Sequence, residues 1–153
     1  MTWNLNDEIF EPSEEFLKDY VGFVYRITEK DTGKMYIGKK FFWKPKTLPA
    51  NSVRKRKIKM KVPSDWQKYY GSSEHLLESI KRTGVDNYHR EVLKLCTTKG
   101  ECSYYEAKLQ FEYDVLLDEQ YYNAFIGCKI HAKHLPKPIV KIVREAEPWH
   151  NRP

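Results

Sequence analysis

Arg54, Lys55, Arg56, Lys57, Lys59 and Lys61 put six cations into the stretch 54–61. Guanidinium and ammonium groups at this density neutralise phosphates and release the counterions condensed on a polyanion. Affinity gained this way is strongly salt dependent and positions a partner without reading its sequence. Trp43 and Trp66 flank the run and offer flat faces for stacking on exposed bases, although core packing is the commoner use of tryptophan. A solvated charged loop with no partner is the plain alternative. A second set of candidates lies upstream, on the β-rich runs VGFVYRITE and MYIGKKFF that flank Asp31-Thr32-Gly33-Lys34. If Thr32 and Gly33 form a two-residue hairpin loop, Glu29 faces Tyr36, Ile27 faces Gly38 and Tyr25 faces Lys40. Alternation along the strands then places Tyr25, Tyr36 and Lys40 on one sheet face. Ordinary hairpin packing accounts for the same residues without any chemistry.

The elements that must hold these side chains follow from pattern. After the hairpin, prolines at 45, 49 and 63 and the cation run mark 43–63 as a basic insertion that supplies little core and is expected to be mobile when free. Ser73 can cap a helix that carries Leu76, Leu77 and Ile80 and ends near Gly84. Alternation over 88–96 predicts a third strand with Val92 inward. A longer helix is expected over about 102–117, with Tyr105 and Leu109 on its buried stripe. The expected organisation is an extension over 1–20, a domain over 21–132 containing the 43–63 insertion, and a basic, proline-containing tail over 133–153.

Bulk properties narrow the classes. A chain of 153 residues with 41% hydrophobic content suits one core. A formal charge of +6 favours an anionic partner, either nucleic acid or an acidic surface. Cys96, Cys102 and Cys128 show neither CxxC spacing nor companion histidines, which argues against a disulfide framework or a zinc site. No apolar run approaches membrane-spanning length, and the first residues are acidic where a signal peptide would be basic. The expectation is a cytoplasmic, reduced protein that does not contact membrane.

Phe23-Val24-Tyr25 and Tyr36-Ile37-Gly38, separated by a turn, resemble the two halves of the signature of GIY-YIG endonucleases, with Phe and Val at the first two places. Tyr69-Tyr70-Gly71-Ser72-Ser73, the helix up to Gly84, and Tyr88-His89-Arg90-Glu91-Val92-Leu93 follow in the order of phage-type members that begin YIGK. The resemblance runs through Glu106 to Asn123, over roughly 21–130. It implies a small α/β domain in which a three-stranded, mainly antiparallel sheet is flanked by helices, and the element order hairpin, helix, strand, helix independently supports that class. It also implies hydrolysis of a DNA phosphodiester with one divalent cation, Mg²⁺ or Mn²⁺. In that reading Glu106 is the metal ligand, Tyr25 helps to activate the attacking water, and Tyr36 is its active-site neighbour. One carboxylate can suffice for Mg²⁺, which keeps several waters. A tyrosine has an ordinary pKa near 10, so a base role needs cations; Lys39 or Lys40 could supply them and stabilise phosphate charge.

Other assignments stay open at this level. Glu106 could be a solvated helix residue, Asn123 could merely bond a turn, and Tyr70 could pack or hold the scissile phosphate. The arginine that many family members carry after YIG has no secure counterpart; Arg54, Arg56, or Lys68 with Tyr69 or Tyr70 are the candidates. Without such a cation the chain would be a non-catalytic DNA-binding module, and a third class is an interaction domain for an acidic partner. Cutting both strands calls for two active sites or two successive nicks, so a homodimer on DNA is one route.

Overall fold

The computed structural model describes residues 2–129 and 131–136. Strands β1 (Trp3–Leu5), β2 (Glu8–Phe10), β3 (Gly22–Glu29), β4 (Met35–Phe41) and β7 (Tyr88–Cys96) form one sheet in the order β2-β1-β7-β3-β4. Between β4 and β7 lie β5 (Trp43–Leu48), β6 (Ile58–Pro63) and helix α2 (Glu74–Thr83). The short helix α1 (Glu14–Leu17) follows β2, and α3 (Lys99–Glu112) follows β7. The fold is α/β as expected, but the sheet is mixed and has five strands where three were expected, with a separate two-stranded sheet of β5 and β6. The two additional strands come from residues 3–10, whose three-residue runs are too short to show a period of two. They belong to the body: β1 pairs parallel to β7, and Trp3 is 2% exposed while donating its indole N–H to the Trp66 carbonyl.

Each face of the sheet has its own core. On one, Phe23, Tyr25 and Ile27 pack with Trp3, Phe42, Trp66, Leu76 and Tyr88; on the other, Val24 and Ile37 pack with Leu93, Cys102, Tyr105 and Leu109. Among the described residues no helix is long and apolar enough to cross a membrane.

The β3–β4 hairpin differs from expectation in its turn. Thr28 faces Met35, Ile27 faces Tyr36, Tyr25 faces Gly38 and Phe23 faces Lys40, so the loop comprises residues 30–33. Gly33 supplies a left-handed conformation at φ 76°, and the Thr32 hydroxyl donates to the Glu29 carboxylate, which stabilises the longer loop. The register therefore moves by two residues. A shift of two preserves side-chain parity, so Tyr25, Tyr36 and Lys40 still belong to one face although Tyr25 no longer opposes Lys40.

The α2 reading holds: Ser73 accepts from the Leu76 N–H, and Gly84 ends the helix at φ 87°. Helix α3 begins earlier than expected because Thr98 caps it, accepting from the Glu101 N–H, and it stops before Asp114, which adopts φ 51°. Leu116 and Leu117 lie beyond that turn and are exposed. The 43–63 segment forms the β5–β6 ribbon, in register from Trp43 opposite Pro63 to Leu48 opposite Ile58. Most of the 133–153 tail lies outside the described residues.

Candidate active site

Strand β4 is the outer strand of the sheet, and residues 120–123 cover its open side. The Met35 N–H donates to the Gln120 carbonyl at 2.7 Å and the Tyr122 N–H to the Met35 carbonyl at 2.8 Å. Asn123 then spends its amide on Ile37, accepting its N–H at 3.1 Å and donating to its carbonyl at 2.8 Å. Gln110 from α3 donates to the same carbonyl at 2.9 Å. A side-chain amide thus replaces a neighbouring strand and satisfies backbone groups that would otherwise be exposed at an edge. Asn123, a candidate for chemistry in the sequence, thus bonds the backbone of β4 through its side chain.

A cleft of about 590 Å³ opens around this edge, lined by Tyr36, Lys39, Ser72, His75, Glu106 and Asn123 among others. Tyr36 reaches it from one face of β4 and Lys39 from the other, because consecutive odd and even positions point to opposite sides. The Tyr36 hydroxyl lies 3.2 Å from the Ser72 hydroxyl, just before the start of α2. Lys39 Nζ donates to Ser103 Oγ at 2.9 Å and sits 3.6 Å from a Glu106 carboxylate oxygen, both on α3. Burial pushes the Glu106 carboxyl above its ordinary range, with Lys39 working in the opposite direction. A partly buried carboxylate with this bias gains from an added cation.

Tyr25 stands behind the cleft wall and is 1% exposed. Its ring lies against β4 because position 38 has no β-carbon: one there would fall 2.5 Å from Tyr25 Oη and 2.7 Å from its Cζ. Gly71, at φ 90°, brings the chain past the same hydroxyl; a β-carbon there would meet it at 3.4 Å. Burial raises the Tyr25 phenol well above its ordinary pKa, and neighbouring Tyr69, Tyr36 and Glu106 add to the effect. Tyr36 is raised as well, chiefly by burial, while its Ser72 contact opposes the rise. Both shifts favour the neutral phenol.

The remaining candidates are distributed elsewhere. Lys40 pairs with Asp65 at 2.7 Å and lies 4.1 Å over the Tyr69 ring, away from Glu106. The Tyr70 ring packs 4.1 Å from the guanidinium of Arg90, which also faces Trp3 and donates to the Gln67 and Tyr69 carbonyls. Lys68 is exposed at the end of the short turn Trp66–Lys68. Arg54 to Lys57, read in the sequence as phosphate-contacting cations, occupy the loop of the β5–β6 ribbon, where Arg54 donates to the Pro49 carbonyl at 2.8 Å. Ser72, His75 and Glu74 line the cleft and were not among the sequence candidates for chemistry, although Ser72 lies in the quoted Tyr69 to Ser73 motif. The Gly71-Ser72-Ser73 turn before a capped helix was their available signal, since a left-handed glycine brings backbone and short side chains close to a neighbouring strand.

Among the described residues no three His, Cys, Asp or Glu side chains converge as a metal cage. The donor set at the cleft, one partly buried carboxylate at Glu106 with Glu74 on the same lining, suits a hard cation that retains most of its water.

The family model described as "Putative endonuclease segE, GIY-YIG domain" matches residues 3–126, and the chain belongs to this GIY-YIG family. Neither a curated protein nor a solved structure matches the chain.

Proposed function

We propose that this protein is a divalent-metal-dependent DNA endonuclease whose catalytic groups are Tyr36, Lys39 and Glu106, backed by Tyr25. The observation that carries the reading is that Tyr36, Lys39 and Glu106 together line one cleft at the β4 edge. Membership of the GIY-YIG endonuclease family supports the reaction class and a nucleic-acid substrate. Glu106 would hold Mg²⁺ or Mn²⁺, and the ion would supply Lewis-acid polarisation of a phosphoryl oxygen.

The chain's own groups have distinct tasks in this reading. Lys39, 29% exposed and already turned toward the cleft, offers an ammonium to the phosphate charge that grows as water adds to phosphorus. Tyr36, with its neutral hydroxyl beside Ser72, donates a hydrogen bond and orients the attacking water or a phosphate oxygen. Hydrolysis takes one proton from the water and returns one to the departing alcohol, and His75, open to the cleft, is placed to exchange it. Tyr25 fixes Tyr36 by ring packing at 6.2 Å between centroids and acts as a positioning residue in its neutral, buried form.

Nicking of supercoiled plasmid at low salt tests the reading directly, with wild type and Glu106→Ala in Mg²⁺, Mn²⁺ or EDTA. Cutting should require the metal and fall by at least about 100-fold in the variant, while DNA binding is retained. Salt-sensitive binding without cutting by the wild type would instead identify a non-catalytic DNA-binding module.

A further inference from the structure

The β5–β6 ribbon has three properties that no part of the proposed chemistry uses. The first is charge. Residues 43–64 hold eight of the chain's 27 Lys and Arg residues and none of its 21 acidic residues, so the rest of the chain has 19 cations against 21 acids. The whole positive excess therefore sits on the ribbon.

The second property is exposure: the strands pair only with each other, and residues 44–47 and 58–61, which alternate between the two faces, are exposed. Register places Leu48, Ile58, Met60 and Val62 on one face with Lys44 and Lys46, and Pro45, Thr47, Lys59 and Lys61 on the other. Ile58 is 40% exposed and Met60 43%. A two-stranded ribbon is marginal alone in water, and an open apolar strip on it is a feature that a partner would cover.

The third is a firm root. Phe42 and Trp66 are buried in the body, Trp43 donates its indole N–H to the Tyr20 carbonyl at 3.0 Å, and Ser64 donates its hydroxyl to the Phe41 carbonyl at 2.6 Å. The ribbon is thus held in a set relation to β4, the strand that carries Tyr36 and Lys39.

We propose that the β5–β6 ribbon is a reading arm that lies in the major groove of duplex DNA with its Ile58 and Met60 face toward the base edges. The choice of DNA as occupant rests on the endonuclease reading, and the charge of the arm fits it independently. The major groove admits a two-stranded ribbon, and its floor offers thymine methyl groups that an apolar face can cover. The backbone phosphates on either side take Lys44 and Lys46, which share the Ile58 and Met60 face, and the cations of the 54–57 loop. Mid-ribbon Lys46 is ten residues beyond Tyr36 in the chain, at most about 33 Å at 3.3 Å per residue. Cutting should consequently fall within about one helical turn of the arm's footprint, to one side of it.

Binding separates this assignment from catalysis. Full-length Glu106→Ala protein, in EDTA, is used to select from a pool of randomised duplexes, and the recovered sites are probed by methylation interference at guanine N7, a major-groove atom. A preferred motif should emerge whose N7 methylation weakens binding by about tenfold or more. Ile58→Ser with Met60→Ser should bring affinity for that motif to within about threefold of random duplex. Replacing Lys44 and Lys46 by Gln should lower the slope of log K against log salt by about 2. Circular dichroism of each variant confirms that the body remains folded. The proposal is overturned by the absence of a motif, by a motif whose recognition survives the Ile58 and Met60 changes, by interference absent from the major groove, or by equal binding of single-stranded DNA or polyglutamate. Motif reading without any cutting by wild type would retain the arm and reject the endonuclease.

Discussion

Glu29 provides the sharpest quantitative test of how this fold holds its site. The residue is 3% exposed at the end of β3, yet among the described residues the groups that hold it are hydroxyls and not cations. One carboxylate oxygen accepts from Ser79 at 2.6 Å and Tyr88 at 2.9 Å, and the other accepts from Tyr122 at 3.0 Å and from Thr32. These hydroxyls come from α2, β7, the segment beside Asn123 and the hairpin loop, so one ion ties together the surroundings of the cleft. Burial opposes ionisation, but the four hydrogen bonds outweigh it and bring the pKa from 4.5 to about 2. That fall amounts to about 3 kcal/mol in favour of the folded state. Because the folded pKa lies below the unfolded one, the stabilisation is complete above 4.5 and is lost as the pH falls toward 2. About half remains near pH 3.

Glu29→Gln keeps the shape and removes the charge, leaving an amide donor facing hydroxyls that had been donating. Urea unfolding should show a deficit of about 2 to 3 kcal/mol at pH 7, seen thermally as a loss of roughly 6 to 10 °C. The gap between wild type and variant should narrow to about half by pH 3. Equal stability at pH 7, or a deficit that stays constant from pH 7 to pH 3, would refute the charged cage.

Two further substitutions probe the cleft walls. Gly38→Ala puts a methyl group within 2.5 Å of the Tyr25 hydroxyl, so Tyr25 must move. A cost of about 1 to 3 kcal/mol should appear in urea unfolding, together with slower plasmid nicking; unchanged nicking would separate Tyr25 from the chemistry. Asn123→Ala removes both contacts to Ile37 at the edge of β4. It should destabilise by about 1 to 3 kcal/mol and speed hydrogen exchange of the Ile37 amide, whereas Asn123→Asp, which can still accept from that amide, should protect it more than alanine does. Identical exchange in the two variants would show that the amide contact is not what covers the edge.

Much of this protein was determined locally and was therefore legible in its sequence. The β3–β4 hairpin, the Ser73 cap, the inward Val92 and the buried Tyr105 and Leu109 each depend on a period or a cap spanning a few residues. Even the two-residue error in the hairpin register left Tyr25, Tyr36 and Lys40 on one face, because alternation survives an even shift. Tertiary structure alone decided what lies far apart in the chain. The pairing of β1 with β7 joins residues 3–5 to residues 90–92, and nothing in a three-residue run announces it. The approach of Lys39 to Glu106 and the bracing of Ile37 by Asn123 arise when α3 and the chain after it fold over the β4 edge, and the four-hydroxyl cage of Glu29 forms only when α2, β7 and Tyr122 meet the hairpin. Charge composition revealed a cationic segment at 54–61, but only strand pairing turned it into part of a ribbon with two different faces. The physical division is between interactions set by neighbours in sequence and those that exist only after a long loop has closed.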